Sequence, residues 1–192
     1  MRTKPPARPA ALLARSVALA AAAFVLSGCL AVVPVTIPIG NGAPAMAPAG
    51  PAPAIARCPR PEGAAAETAA VIEGVNRLRT RAGLAPLRPD ARLAAAARAQ
   101  ACENAARGVA SHRGSDGSTL PQRLSREGVR ARHGGEVVAL GQRGAARALE
   151  GWAGSPAHRD ILLDPDVGRI GAGLAGPPGP GRAWVVVVAA PG

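Results

Sequence analysis

The chain of 192 residues carries 23 Lys and Arg against 12 Asp and Glu, a formal charge of +11, yet only two Trp, one Phe and no Tyr. Scattered arginines without aromatic partners make no stacking platform for single strands, so nucleic acid is excluded as the expected partner. The basic excess reads as solvated surface, weakly attractive to anionic lipid or polysaccharide.

In chain order, Arg2, Lys4, Arg8 and Arg15 form a basic segment before an apolar run over residues 16–26. Residues 1–28 read as an export signal. Its end, Leu26-Ser27-Gly28-Cys29, resembles the lipobox of bacterial lipoproteins. That resemblance implies cleavage before Cys29 and a lipid on its sulfur, so the protein would be anchored to the membrane without spanning it. The alternative is an uncleaved anchor helix over residues 16–33, near the lower limit of the roughly 17 to 25 residues that cross a bilayer. Small residues and a Cys at the end of the run favour the lipoprotein. Either way the rest is exported, to a periplasm or cell surface. Leu30, where an Asp is linked with inner-membrane retention, leans towards an outer membrane.

Residues 29–57 are rich in Pro, Ala and Gly and read as a semi-extended tether, able to reach roughly 90 Å at ~3.1 Å per residue. One domain is expected over residues 58–192. Cys58 and Cys102 are an even pair in an oxidising compartment. They suggest a disulfide stapling the segment before the first helix to the second, the alternative being two buried free thiols.

Val71, Ile72, Val75 and Leu78 recur at helical spacing, predicting a helix over residues 65–82 stopped by Gly83. Pro86 and Pro89 break the chain. Asp90 caps an Ala-rich helix through Arg107 that Gly108 ends. Thr119-Leu120-Pro121-Gln122 is a capping-box pattern opening a short third helix up to Gly128. Residues 136–140 read as a strand. Ala145, Ala148, Leu149 and Trp152 mark a fourth helix, and Ser155-Pro156 starts a brief helical turn. Strands over residues 169–174 and 183–189 form a hairpin across a Gly/Pro loop, the second apolar enough to be covered on both faces. The sum is a three-layer α/β/α sandwich around a small antiparallel sheet.

Three histidines punctuate this chain. His112 lies in Ser111-His112-Arg113-Gly114-Ser115-Asp116-Gly117-Ser118, and His158 follows Ser155-Pro156-Ala157. With Glu136 between them, two imidazoles and two carboxylates could converge on one polar cleft. His133 reads as a surface turn residue, Ser111 and Ser115 as turn serines, and Arg113 and Arg159 as solvated charges.

Residues 71–189 resemble the CAP superfamily of SCP-like extracellular domains, in its bacterial branch. Carrying the likeness are Asn76-Arg77-Leu78-Arg79, Pro86-Leu87, the segment from Ser111 to Ser118, and Gly135-Glu136. Trp152, Ser155-Pro156-Ala157-His158-Arg159-Asp160-Ile161-Leu162, Gly171-Ala172-Gly173 and Trp184 complete it. The resemblance implies a cleft lined by His112, Asp116, Glu136 and His158. Val137, Ala157 and Asp160 depart from the family pattern, which implies altered hydrogen bonding around Glu136 and His158.

A two-His site with a carboxylate could hold Zn²⁺ or another divalent cation between His112 and His158. Three functions are open. The first is a monomeric module binding a lipid, glycan or peptide at the cleft. The second is a structural envelope protein whose tetrad only holds loops. The third is a metal-assisted hydrolase with Glu136 as base. Binding ranks first and the enzyme last.

Overall fold

The computed structural model describes residues 58–190. The signal-like segment, Cys29 and the Pro-rich tether lie outside the described residues. Among the described residues, no helix is long and apolar enough to cross a membrane.

The elements run α1 Ala64–Arg81, β1 Arg88–Pro89, α2 Ala91–Arg107, α3 Leu120–Arg126, β2 Gly134–Leu140, α4 Ala145–Ala153, α5 Pro156–Leu162, β3 Arg169–Ala175 and β4 Ala183–Ala189. Capping explains most boundaries. Asp90 Oδ1 accepts the amides of Arg92 and Leu93 at 2.9 and 3.0 Å to open α2. Gln122 Oε1 accepts the Thr119 amide at 2.9 Å to open α3. Gly83, Gly108 and Gly128 follow α1, α2 and α3 with φ of 75°, 64° and 69°, the left-handed stop their spacing predicts. Gly144 has no side chain with which to open α4, so Glu67 of α1 supplies one, accepting the Ala145 amide at 2.8 Å.

The sheet order is β1-β3-β4-β2. β3–β4 and β4–β2 are antiparallel, as expected. One strand was not: the two residues of β1 add a parallel edge to β3, Arg88 opposite Arg169. Pro86 just before it and Pro89 within it hide so short a strand from any period-two pattern. The helical turn after Ser155 is also longer than expected, running seven residues.

Alternation along the strands assigns the two faces. Trp184, Val186 and Val188 join Val137, Ala139, Ile170 and Leu174 under α1, α4 and α5. Val185 and Val187 join Val138, Ala175 and Ala189 under α2 and α3. All four valines of β4 are at most 1% exposed, so this strand is covered on both faces. On β3 the α2 face presents Gly171 and Gly173. A Cβ at Gly171 would strike the backbone of Leu93 and Ala94, and one at Gly173 the backbone of Ala97 and Arg98. Two glycines thus let α2 lie directly on β3. The Cys58–Cys102 disulfide then fastens the start of the domain to α2, with a Cα–Cα distance of 5.9 Å.

Candidate functional site

Glu136 follows from the period of β2. Residues 136, 138 and 140 share the α2/α3 face, so the carboxylate points into the domain and is only 5% exposed. A buried carboxylate needs a counter-charge. Arg123 of α3 provides it, Nη2 donating to Glu136 Oε2 at 2.5 Å. Arg123 is itself 4% exposed, and its Nη1 donates to the carbonyls of His112 and Ser118 at 2.9 and 3.1 Å. One guanidinium therefore ties the acid to the loop that bears the histidine.

That loop is also pinned from α2. Gln100 and Asn104 are fully buried, and their amides donate to the Ser111 carbonyl at 2.8 and 3.0 Å. Gln100 reaches the Arg113 carbonyl as well, at 3.1 Å. Held on both sides, His112 places Nδ1 3.0 Å from Glu136 Oε1. An ionised carboxylate only accepts, so Nδ1 carries the proton and donates; in the neutral ring Nε2 then keeps its lone pair. The imidazole is 56% exposed where the carboxylate is 3%. The pair thus has a buried anchor and a half-exposed imidazole.

The other two members of the predicted tetrad have different surroundings. Asp116 accepts the Ser118 amide at 2.9 Å and pairs with Arg126 at 2.7 Å, with 41% of its side chain exposed. The Ser118 contacts first, then Arg126, hold its carboxyl well below the usual carboxylate range despite some desolvation. It is an ionised turn residue at the rim of the loop, as its Asp-Gly context suggests. His158 sits on α5, which lies against β2 from the opposite layer, where Ile161 faces Gly135. Its Nδ1 is buried and has no hydrogen-bond partner among the described residues. Glu136 thus points to the α2/α3 layer of β2, while the helix that bears His158 packs on the other layer.

Among the described residues, only His133, Asp164 and Asp166 bring three His, Cys, Asp or Glu ligand atoms within 4.8 Å of one another. His133 is thus more than a turn residue: its Nε2 lies 2.5 Å from Asp164 Oδ2. Sequence reasoning also missed Arg123, taken with the other arginines as a solvated charge. The available signal was Glu136 itself, an acid at an inward position of an alternating strand. Such a residue predicts a buried cationic partner without saying which arginine it is.

The motif Asn76-Arg77-Leu78-Arg79 supports the site from below. Asn76 exchanges two hydrogen bonds with the backbone of Leu87, at 2.8 and 3.0 Å. Arg79, 1% exposed, donates to the carbonyls of Ala85, Leu162 and Asp164 at 2.9, 3.0 and 2.8 Å. It ends α5 and so fixes the helix that carries His158. A cavity of about 990 Å³ runs beside the Cys58–Cys102 disulfide, and His112, Glu136 and His158 do not line it.

Comparison with known proteins matches residues 72–189 to the family model "CAP: Cysteine-rich secretory protein family". A curated relative, the uncharacterized protein YkwD of Bacillus subtilis, is 28% identical over 103 residues, covering 54% of this chain and 40% of that one. The chain thus spans well under half of that relative. Among solved structures, an extracellular protein containing a SCP domain from Bacillus anthracis aligns with a TM-score of 0.61 at 23% identity, over 67% of this chain and 41% of that one. An outer surface protein from Borrelia burgdorferi aligns at 0.64 and 20% identity, over 70% of this chain and 99% of that one. These likenesses establish the fold.

Proposed function

The chain belongs to the CAP, cysteine-rich secretory protein family, and from that premise we propose that it is an exported, membrane-tethered binding module. Its site is the His112–Glu136 pair at the edge of β2, completed by His158 and rimmed by Asp116. Its ligand is a small envelope molecule of the lipid, glycan or peptide class. The observation that carries this reading is the asymmetry of the pair. Glu136 is buried and neutralised by Arg123, while the imidazole it orients stays half-exposed. An oriented, half-exposed imidazole is a recognition group.

The same groups fit a divalent cation of borderline softness such as Zn²⁺. His112 has one nitrogen beyond the one bonded to Glu136, and the buried Nδ1 of His158 has no partner among the described residues. His112 and His158 would hold the ion, which would polarise a carbonyl or phosphoryl oxygen of the ligand. The hydrolase reading is weaker. Both oxygens of Glu136 are engaged, one by Arg123 and one by His112, which leaves neither free to take a proton from water. The structural reading retains one specific support, the internal bonds by which Arg123, Gln100 and Asn104 fasten the loop.

The test compares the full chain in detergent with a His112→Ala/His158→Ala variant, titrated with soluble peptidoglycan fragments and with phospholipid vesicles. Binding weakened at least roughly tenfold, with melting unchanged, supports the module. Equal binding with a lower melting temperature leaves only the structural role. The tether is tested by Cys29→Ser, which should move the protein from the membrane to the soluble fraction; persistent membrane association refutes the lipid anchor.

A further inference from the structure

We infer that His133, Asp164 and Asp166 form a second site, separate from His112 and Glu136, that takes a divalent transition-metal ion. His133 immediately precedes β2, and the two aspartates lie in the turn between α5 and β3. One ligand atom from each residue falls within 4.8 Å of the others. The donor set is one imidazole and two carboxylates. The imidazole suits Zn²⁺ and the two carboxylates suit Mn²⁺, unlike the all-oxygen sites typical of Ca²⁺ and Mg²⁺, and an exposed three-ligand site leaves positions for water or a ligand oxygen.

Two further observations point the same way. The first is charge. In so basic a chain, the two carboxylates are drawn together, yet among the described residues neither pairs with an arginine within 4.0 Å. Among the described residues Asp164 forms an ion pair only with His133, and Asp166 forms none. By contrast Asp90, Asp116 and Glu136 each have an arginine. Arg79, directly beneath, donates to the backbone carbonyls of Leu162 and Asp164 and leaves the carboxylates open. Asp164 shares His133 and the nearby charge of Arg79, whereas Asp166 adds a second anion with no arginine beside it among the described residues, which leaves room for a cation.

The second observation is rigidity. Arg79 fixes the backbone at Asp164, the Asp166 amide donates to Asp164 Oδ1 at 2.8 Å, and the Ala190 amide donates to the His133 carbonyl at 2.9 Å. Both sides of the site are thus tied to the sheet before any ion arrives, so little order is lost on binding. A proton on His133 Nε2 would make the hydrogen bond to Asp164 Oδ2. The ion would replace that proton, so binding should release it and weaken as pH falls.

The test uses the full chain in detergent, stripped with a chelator, in a His112→Ala/His158→Ala background. This separates the second site from the cleft. Isothermal titration with zinc chloride, and separately with manganese chloride, is compared across that background, Asp166→Asn and His133→Gln. One ion per chain is expected, with affinity falling at least roughly tenfold in both variants, the loss typical even of an outer-shell partner. Asp166 is exposed and its carboxylate has no hydrogen bond among the described residues, so Asp166→Asn keeps the metal-free melting temperature and isolates ligation from folding. Absence of zinc and manganese binding in the background protein, or binding that Asp166→Asn leaves unchanged, overturns the inference.

Discussion

Replacing Arg123 by Met removes the charge that compensates a carboxylate inside the domain while keeping most of the side-chain volume. Glu136 is 5% exposed and would retain only the hydrogen bond from His112. The carbonyls of His112 and Ser118 would lose their guanidinium donor in the same step. Removing one partner of a buried ion pair costs about 3–5 kcal/mol, a large part of the roughly 5–15 kcal/mol that holds a domain together. For a domain of this size that corresponds to a melting temperature roughly 10–20 °C lower. Urea denaturation of wild type, Arg123→Met, Glu136→Leu and the double variant would measure it. The double variant should be more stable than Arg123→Met alone, because the orphaned charge has gone with its partner. A loss below about 1 kcal/mol in Arg123→Met, or a double variant equal to the sum of the singles, refutes the reasoning that the pair is a coupled, desolvated unit.

Gly171→Ala should destabilise by about 1–3 kcal/mol, since its methyl would meet the backbone of α2, whereas Gly151→Ala on the open side of α4 should stabilise by about 0.5–1 kcal/mol. Chemical denaturation of both checks the contrast, and equal effects would sink the close-approach argument. Reducing the Cys58–Cys102 bond, 44 residues apart in sequence, should lower stability by about 4 kcal/mol on chain entropy, read as a melting shift with and without reductant. Burial alone would raise the pKa of Asp90. The amides of Leu93 and Arg92, together with Arg169, outweigh it and hold the carboxyl below its ordinary 3.8. The folded pKa being the lower, the stabilisation is complete above pH 4 and fades as pH falls further. Asp90→Ala should therefore be about 1 kcal/mol less stable at neutral pH and converge on wild type in acid; a gap that persists to pH 2 refutes the charge contribution.

The sequence by itself determined the elements that local chemistry controls. Asp90 and Gly108 bound α2 because a capping carboxylate and a left-handed glycine act within one turn. The apolar run of β4 implied cover on both faces because period and hydropathy are carried by the strand itself. Position on the chain could not reveal β1, a two-residue strand that exists only because β3 lies beside it. Nor could it single out Arg123 from the other arginines, or give His133 a partner 31 residues away. An arginine becomes a buried counter-ion only when a helix and a strand distant in sequence exclude water around it. Tertiary structure therefore decided which charges face solvent and which face each other, because desolvation is a property of packed neighbours and not of residue type.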